Sequence, residues 1–267
     1  MMSRNLSTQR GFTLMELVMV IVIAGILGTM TIGFITKPIE AYVDLSRRAE
    51  LVDHAEMSMR MMARDIRRAL PNSVDSGETC DGDLCMIRTT GGGRYRAQGP
   101  GIYLDFTTVD TSFEAFGIVL PDSWQNQRLV IYNLGVSGAN AYSDDDVITP
   151  KGTTLSYDSS NHIIELSPGH KFRFESPSQR FFVVDNMIRY RCENSQLLRE
   201  VCPISTSSSP NCYSSAPVSR HMNCEESTFS YQAGTASRAG LVTINLVLQS
   251  EGETISLLHQ VHVDNVP

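Results

Sequence analysis

From Leu17 to Thr36 the chain runs for 20 residues without a charge, and Lys37 closes the run. At about 1.5 Å rise per residue, a helix of that length covers the roughly 30 Å hydrocarbon core of a bilayer. The pattern then changes from continuous to periodic. Leu45, Val52, Ala55, Met59, Met62, Ile66 and Ala69 recur at steps of seven, three and four, which predicts one apolar stripe on a helix reaching about Leu70. Pro38 stands between the two patterns, and its missing N–H and its ring predict an interruption and a kink there. The opposite face carries Arg47, Arg48, Glu50, Asp53, Glu56, Arg60, Arg64, Asp65, Arg67 and Arg68. Such a mixture predicts a solvated face with i,i+4 pairs such as Glu56 with Arg60. Pro71-Asn72-Ser73 predicts the stop.

Beyond the helix the period shortens to two. RLVIYN, HIIELS, HKFRFES, RFFVVD, MIRYRC, LLREV, GLVTINLVLQ and TISLLHQVHV are short runs of β-branched and aromatic residues, several of them alternating apolar with polar. Turn signals separate them: Gly91-Gly92-Gly93, Pro121-Asp122, Ser167-Pro168-Gly169, Glu193-Asn194-Ser195 and Ser250-Glu251-Gly252. The expected fold is therefore α+β, one long amino-terminal helix followed by an antiparallel sheet domain. Residues 12–36 form the membrane-spanning part, 37–70 its amphipathic continuation and 71–267 a β-rich globular domain.

Charge narrows the possible partners. The sequence holds 22 basic and 29 acidic residues, a formal −7. Residues 1–11 contain Arg4 and Arg10 and no acid, so a chain starting at Phe12 would have 20 basic residues and a formal −9. An acidic chain without a basic, aromatic-interleaved stripe outside the helix argues against nucleic acid as a partner. Basic residues before the span and mixed charge after it place the amino terminus in the cytoplasm and the bulk of the chain across the membrane.

Six cysteines in an envelope-facing domain are expected as disulfides, although six allow fifteen connectivities. Cys80 and Cys85 flank a turn-forming Asp81-Gly82-Asp83. Cys192 ends one strand-like run and Cys224 precedes another, STFSYQ, so this pair would staple neighbouring strands. Cys202 and Cys212 would close the Ser/Pro-rich loop PISTSSSPN. Zinc is the weaker alternative, because no CxxC pair occurs and no histidine stands at ligand spacing.

Other tempting chemistry fades on inspection. Gly91-Gly92-Gly93 lacks the Lys-Ser/Thr of a phosphate loop and opens no helix, which leaves a hairpin turn. Asp144-Asp145-Asp146, near Asn140, offers oxygen ligands without the spacing of a calcium loop, so a solvated loop is expected. His259 and His262 fall on opposite faces of a regular strand and could not chelate one ion together. No GxSxG, HExxH or nucleophile–base spacing is present. The expectation is a protein without catalytic residues, metal or cofactor.

One feature of the span remains unexplained by an ordinary membrane anchor: Glu16 sits at its start, where a carboxylate is disfavoured unless something uses it. A secretory signal peptide has a shorter apolar core followed by a small-residue cleavage site, whereas here the glycine precedes the apolar run. Gly11-Phe12-Thr13-Leu14-Met15-Glu16-Leu17 resembles the class III signal of the type IV pilin and type II secretion pseudopilin superfamily. That resemblance implies a leader of residues 1–11, cleavage between Gly11 and Phe12 by a prepilin peptidase, methylation of the Phe12 amino group, and a role for Glu16 in assembly. The stretches ITKPIEAYVDLSRRAELVDHAEMSMRMMARDIRRALPNS and LLHQVHVDNVP are similar to minor pilins of the mannose-sensitive haemagglutinin (MSHA) pilus system, relatives of J-type pseudopilins. They imply a non-catalytic subunit that meets other major and minor pilins and an inner-membrane assembly platform, and that starts or caps a fibre. A secretion pseudopilin and a pilus-tip adhesin, binding through the 192–224 loop or the Asp144 region, are the two rival readings.

Overall fold

The computed structural model describes residues 11–77, 80–121, 123–207, 210–234 and 238–263, apart from the side chains of residues 32, 33 and 35. Residues 1–10 of the expected leader, Asp122 and the last four residues of LLHQVHVDNVP lie outside that set. A long helix followed by an antiparallel β domain is the architecture found. The chain divides into two compact units, residues 1–50 and residues 51–267.

Helix α1 runs from Leu14 to Arg67, 54 residues. It continues through Pro38, so the interruption expected there is absent. One proline removes a single backbone donor and leaves the neighbouring i→i−4 bonds to carry the helix. From Leu17 to Thr31 α1 is apolar and exposed on all sides, with Leu17, Ile21, Val22, Ile26 and Met30 each more than half exposed. A helix of that kind has the composition of one that lies in lipid or against other helices. Its hydroxyls are satisfied locally: Thr29 donates to the Ile26 carbonyl at 2.9 Å and Thr31 to the Leu27 carbonyl at 2.7 Å.

From Leu51 onward the same helix is one side of a core. Leu51, Ala55, Met59, Met62, Ala63 and Ile66 are buried, and each large one contributes about 1.5–3 kcal/mol. The stripe is therefore shifted from the expected one: Leu45 is exposed, and Leu51 and Ala63 join it. α1 ends three residues early because Leu70 N–H already donates to the Ile87 carbonyl of the sheet. The stop is then tied down, with Asn72 donating to the Asn133 carbonyl at 2.9 Å and Tyr142 Oη to the Ser73 carbonyl at 2.8 Å.

Eleven strands follow among the described residues: β1 (Leu84–Tyr95), β2 (Asp110–Val119), β3 (Arg128–Val130), β4 (Thr154–Asp158), β5 (Ile163–His170), β6 (Arg180–Glu193), β7 (Gln196–Cys202), β8 (Ser214–Arg220), β9 (Thr228–Gln232), β10 (Gly240–Ser250) and β11 (Glu253–Val263). The larger sheet has the order β4-β5-β2-β1-β6-β7-β8, with β3 added on β6. The smaller is β11-β10-β9. One core cluster joins three elements: the α1 stripe, Leu84, Met86, Ile188, Tyr190 and Leu197 of the larger sheet, and Val242, Ile244, Leu246 and Val261 of the smaller. A second cluster, around Phe113, Phe172 and Phe181, fills the β2–β5 side.

Several sequence expectations change here. RFFVVD and MIRYRC are one strand, β6. HKFRFES forms no strand beyond His170, since Arg173 N–H donates to the Asp146 carbonyl in place of a ladder partner, and Phe172 is buried without being paired. Glu193-Asn194-Ser195 and Ser250-Glu251-Gly252 do turn the chain, with Asn194, Ser195, Glu251 and Gly252 at positive φ. Ser167-Pro168-Gly169 does not, because β5 runs through it.

The largest correction concerns Gly91-Gly92-Gly93. These residues are not a hairpin turn but the middle of β1, opposite Val183, Phe182 and Phe181 of β6. A Cβ on Gly92 would lie 2.8 Å from the Phe181 carbonyl oxygen, and one on Gly93 2.9 Å from that of Phe116. Glycine is present because backbones approach closely there, not because a turn needs a positive φ.

Candidate assembly site

The peptidase junction precedes the helix. Gly11, Phe12 and Thr13 are non-helical and exposed, and a Cβ on Gly11 would meet nothing within 4 Å. Thr13 is the cap: its Oγ1 accepts from Glu16 N–H at 3.3 Å, and its carbonyl accepts from Leu17 N–H. Thr-x-x-Glu is the spelling of a capping box, a signal in the sequence that the reading of Glu16 as an assembly residue passed over. Glu16 is exposed in the first turn, where the helix dipole favours a carboxylate. The junction, the cap, the single acid and the apolar helix are thus contiguous within the first unit.

The three cysteine pairs in the structure are Cys80–Cys85, Cys192–Cys224 and Cys202–Cys212. Cys192 and Cys224 do not staple neighbouring strands of one sheet. Cys192 lies at the end of β6 in the larger sheet, while Cys224 follows Met222, which bridges Leu248 of β10, and precedes β9. This bond joins the two sheets. The Cys80–Cys85 loop presents Asp83 to Arg189 of β6, with Nε 2.7 Å from Oδ2. Burial pushes the Asp83 carboxyl above the usual carboxylate range, and Arg189 works against that shift. Glu200, Cys202 and Cys212 form the one cluster of possible metal ligands among the described residues, but both sulfurs are in a disulfide and neither is a thiolate.

The charged face of α1 is solvated only in part. Glu56 pairs with Arg60 at 2.8 Å, a surface pair worth a few tenths of a kcal/mol. Asp65 instead turns to the sheet, where Tyr190 Oη donates to it at 2.7 Å and Arg199 Nε at 2.6 Å. Burial, reinforced by the Asp65 charge, raises the Tyr190 hydroxyl far above the usual phenol range. Tyr190 therefore stays a donor and locks the end of α1 to β6 and β7. A carboxylate in a ten-residue charge run gives no sequence signal that separates it from its solvated neighbours.

The Asp144 region is occupied by the chain itself. Asp144 pairs with Arg128 at 2.7 Å and with Lys151 at 3.6 Å, Asp145 accepts from Asn140 N–H, and the Asp146 carbonyl accepts from Arg173 N–H. The Asp144 and Asp145 carboxylates are aimed at separate partners, and Asp146 is engaged through its backbone carbonyl, so no ion cage is assembled from them. His259 and His262 face opposite sides of β11, opposite Ile244 and Leu241.

A family model described as the prokaryotic N-terminal methylation motif matches residues 6–32. No curated protein and no solved structure matches the chain. The matched segment covers the junction, the cap, Glu16 and most of the apolar run, and it implies processing by a prepilin peptidase and assembly with other pilins. With the long exposed apolar helix, the motif suits an inner-membrane-anchored subunit and supports a type IV pilin-like or pseudopilin assembly protein.

Proposed function

We propose that this chain is a non-catalytic minor pilin of the MSHA type, of the MshO kind, that is held in the inner membrane and helps to start or cap a pilus. Its globular domain lies on the periplasmic side before assembly and on the cell surface after it. The observation that carries the reading is Glu16, the one charge between Phe12 and Thr36 in the exposed apolar part of a helix that starts just after the Gly11–Phe12 junction. Cleavage at Gly11 exposes an amino group at Phe12. A carboxylate in an apolar helix bundle is costly alone and is neutralised by a neighbouring subunit's amino terminus, so pairing rewards one stagger of subunits. The resemblance of residues 35–73 and 257–267 to that pilus type supports the finer assignment. The rival roles, secretion pseudopilin and tip adhesin, use the same anchor.

Two measurements test this. Mass spectrometry of the amino-terminal peptide is expected to find N-methylated Phe12, and an intact Met1 start in cells carrying the peptidase refutes it. Glu16→Ala is expected to be cleaved and inserted normally, since loss of a charge makes the span more apolar, yet to crosslink poorly to other pilins. Normal crosslinking and normal piliation at wild-type protein level would discard the pairing role.

A further inference from the structure

The acidic chain carries one strongly basic groove, of about 1320 Å³, between the end of α1 and the β1–β6 region. Arg64, Arg67 and Arg68 enter it from the last turn of the helix and the residue beyond, and Arg88 and Arg94 from β1. Arg180 of β6 and Arg199 of β7 complete the lining, against only Asp65 and Asp185 among the described residues. Seven arginines less two aspartates leave the groove at +5, so with a formal −7 overall the rest of the sequence carries −12.

Two of the positive charges stand where a sheet disfavours them. Arg94 and Arg180 are direct register partners on β1 and β6, and like charges directly opposite are destabilising. Arg64, Arg67, Arg68 and Arg94 make no salt bridge among the described residues. Gly92, two residues from Arg94 and so on the same face, puts no side chain into the floor. The groove also shows how it treats carboxylates: Arg88 holds Asp185 through two nitrogens. That planar, two-pronged grip is what guanidinium groups offer and ammonium groups do not. Along the other wall Phe116, Val119 and Leu120 are 42%, 67% and 49% exposed.

We propose that this groove docks a carboxylate-rich, apolar-flanked segment of a neighbouring pilin-type subunit. The inference rests on the reading of the chain as an assembly subunit. The size and the mixed lining favour a polypeptide: a small anion would use a fraction of the volume, and a lone headgroup would leave the Val119–Leu120 wall without a partner. Charge favours a subunit. Chains with this composition repel one another through their acidic remainder, and a concentrated basic site converts that repulsion into an oriented, head-to-tail attraction.

The test uses the full chain in its native cells, with a photo-crosslinking residue placed at Leu120. The expected adduct is to a protein bearing the same N-terminal methylation motif, at an acidic peptide of that protein. Arg67→Glu with Arg94→Glu should lower the adduct by roughly tenfold or more, while Arg67→Lys with Arg94→Lys keeps a larger share of it. Both variants must retain the three disulfides in non-reducing peptide maps, which separates lost docking from lost fold. Adducts only to lipid or to other classes of protein, no adduct, or a yield indifferent to charge reversal would overturn the proposal. Methylated Phe12 together with intact crosslinking from a probe at Ile21 would show that the assembly reading survives such a failure.

Discussion

Removing the disulfide that joins the two sheets is expected to destabilise the globular domain more than removing either local one. In the chain-entropy picture, a cross-link closing n residues removes about 2.1 + 1.5R ln n cal/mol/K from the unfolded chain. Separations of 32, 10 and 5 residues for Cys192–Cys224, Cys202–Cys212 and Cys80–Cys85 give about 3.7, 2.7 and 2.1 kcal/mol at 25 °C. For a domain of this size the first figure corresponds to a melting shift of about 7–15 °C. The assay is pulse proteolysis of the detergent-solubilised full chain across a urea series, comparing three double Cys→Ala variants with the parent. The ranking is the prediction. Structure supplies the competing effect: the shortest loop also holds Asp83 against Arg189, whose side chain is only 7% exposed. Freeing Asp83 would leave that buried guanidinium with Glu200, 4.0 Å away, as its remaining carboxylate, a loss smaller than the roughly 3–5 kcal/mol of an uncompensated buried charge. If the Cys80–Cys85 variant proves the least stable of the three, loop entropy is the wrong reasoning for this domain and the Asp83–Arg189 pair governs.

Tyr190→Phe, which leaves Asp65 with Arg199 but without its hydroxyl donor, should lower stability by about 1.5–3 kcal/mol in the same urea assay; an unchanged midpoint would mean that Asp65 finds water instead. Gly92→Val should prevent β1 from pairing with β6, because its Cβ meets the Phe181 carbonyl oxygen at 2.8 Å; wild-type accumulation with all three disulfides formed would contradict the close approach. His170, packed at 4.7 Å on the Phe172 ring, is held below the usual imidazole range first by burial, with the Asp146 carbonyl opposing. The unfolded chain therefore takes up a proton before the folded one as pH falls through about 6.5, and stability declines from there to the lower folded value. His170→Gln should flatten that part of a melting-temperature profile, and superimposable profiles would acquit His170.

The amino-terminal segment up to Thr36 was legible because its signals are local. An uncharged run of 20 residues, a glycine–phenylalanine junction and one acid at the start of the run are facts of composition and spacing, and lipid imposes helix on such a run whatever the rest of the chain does. The switch to an amphipathic period and then to short alternating strands likewise followed from side-chain periodicity, so the α+β class could be read without coordinates. Turns that depend on two residues at positive φ, such as Asn194-Ser195, were legible for the same reason.

What tertiary structure alone decided is where the same local patterns end up. Three glycines in a row read as a turn, yet they form the middle of β1, because the neighbouring Phe181 and Phe116 backbones come too close for any Cβ. Asp65 reads like its neighbours in a charge run, yet it is bound by Tyr190 and Arg199, residues 125 and 134 positions away. The Cys192–Cys224 bond reads as a staple between adjacent strands and instead spans two sheets. Above all, the seven arginines of the groove come from four elements and the residue just after α1, and average away in a chain whose total is −7. Composition records how many charges a chain has, and only the fold, by burying some positions and gathering others, sets the field they make.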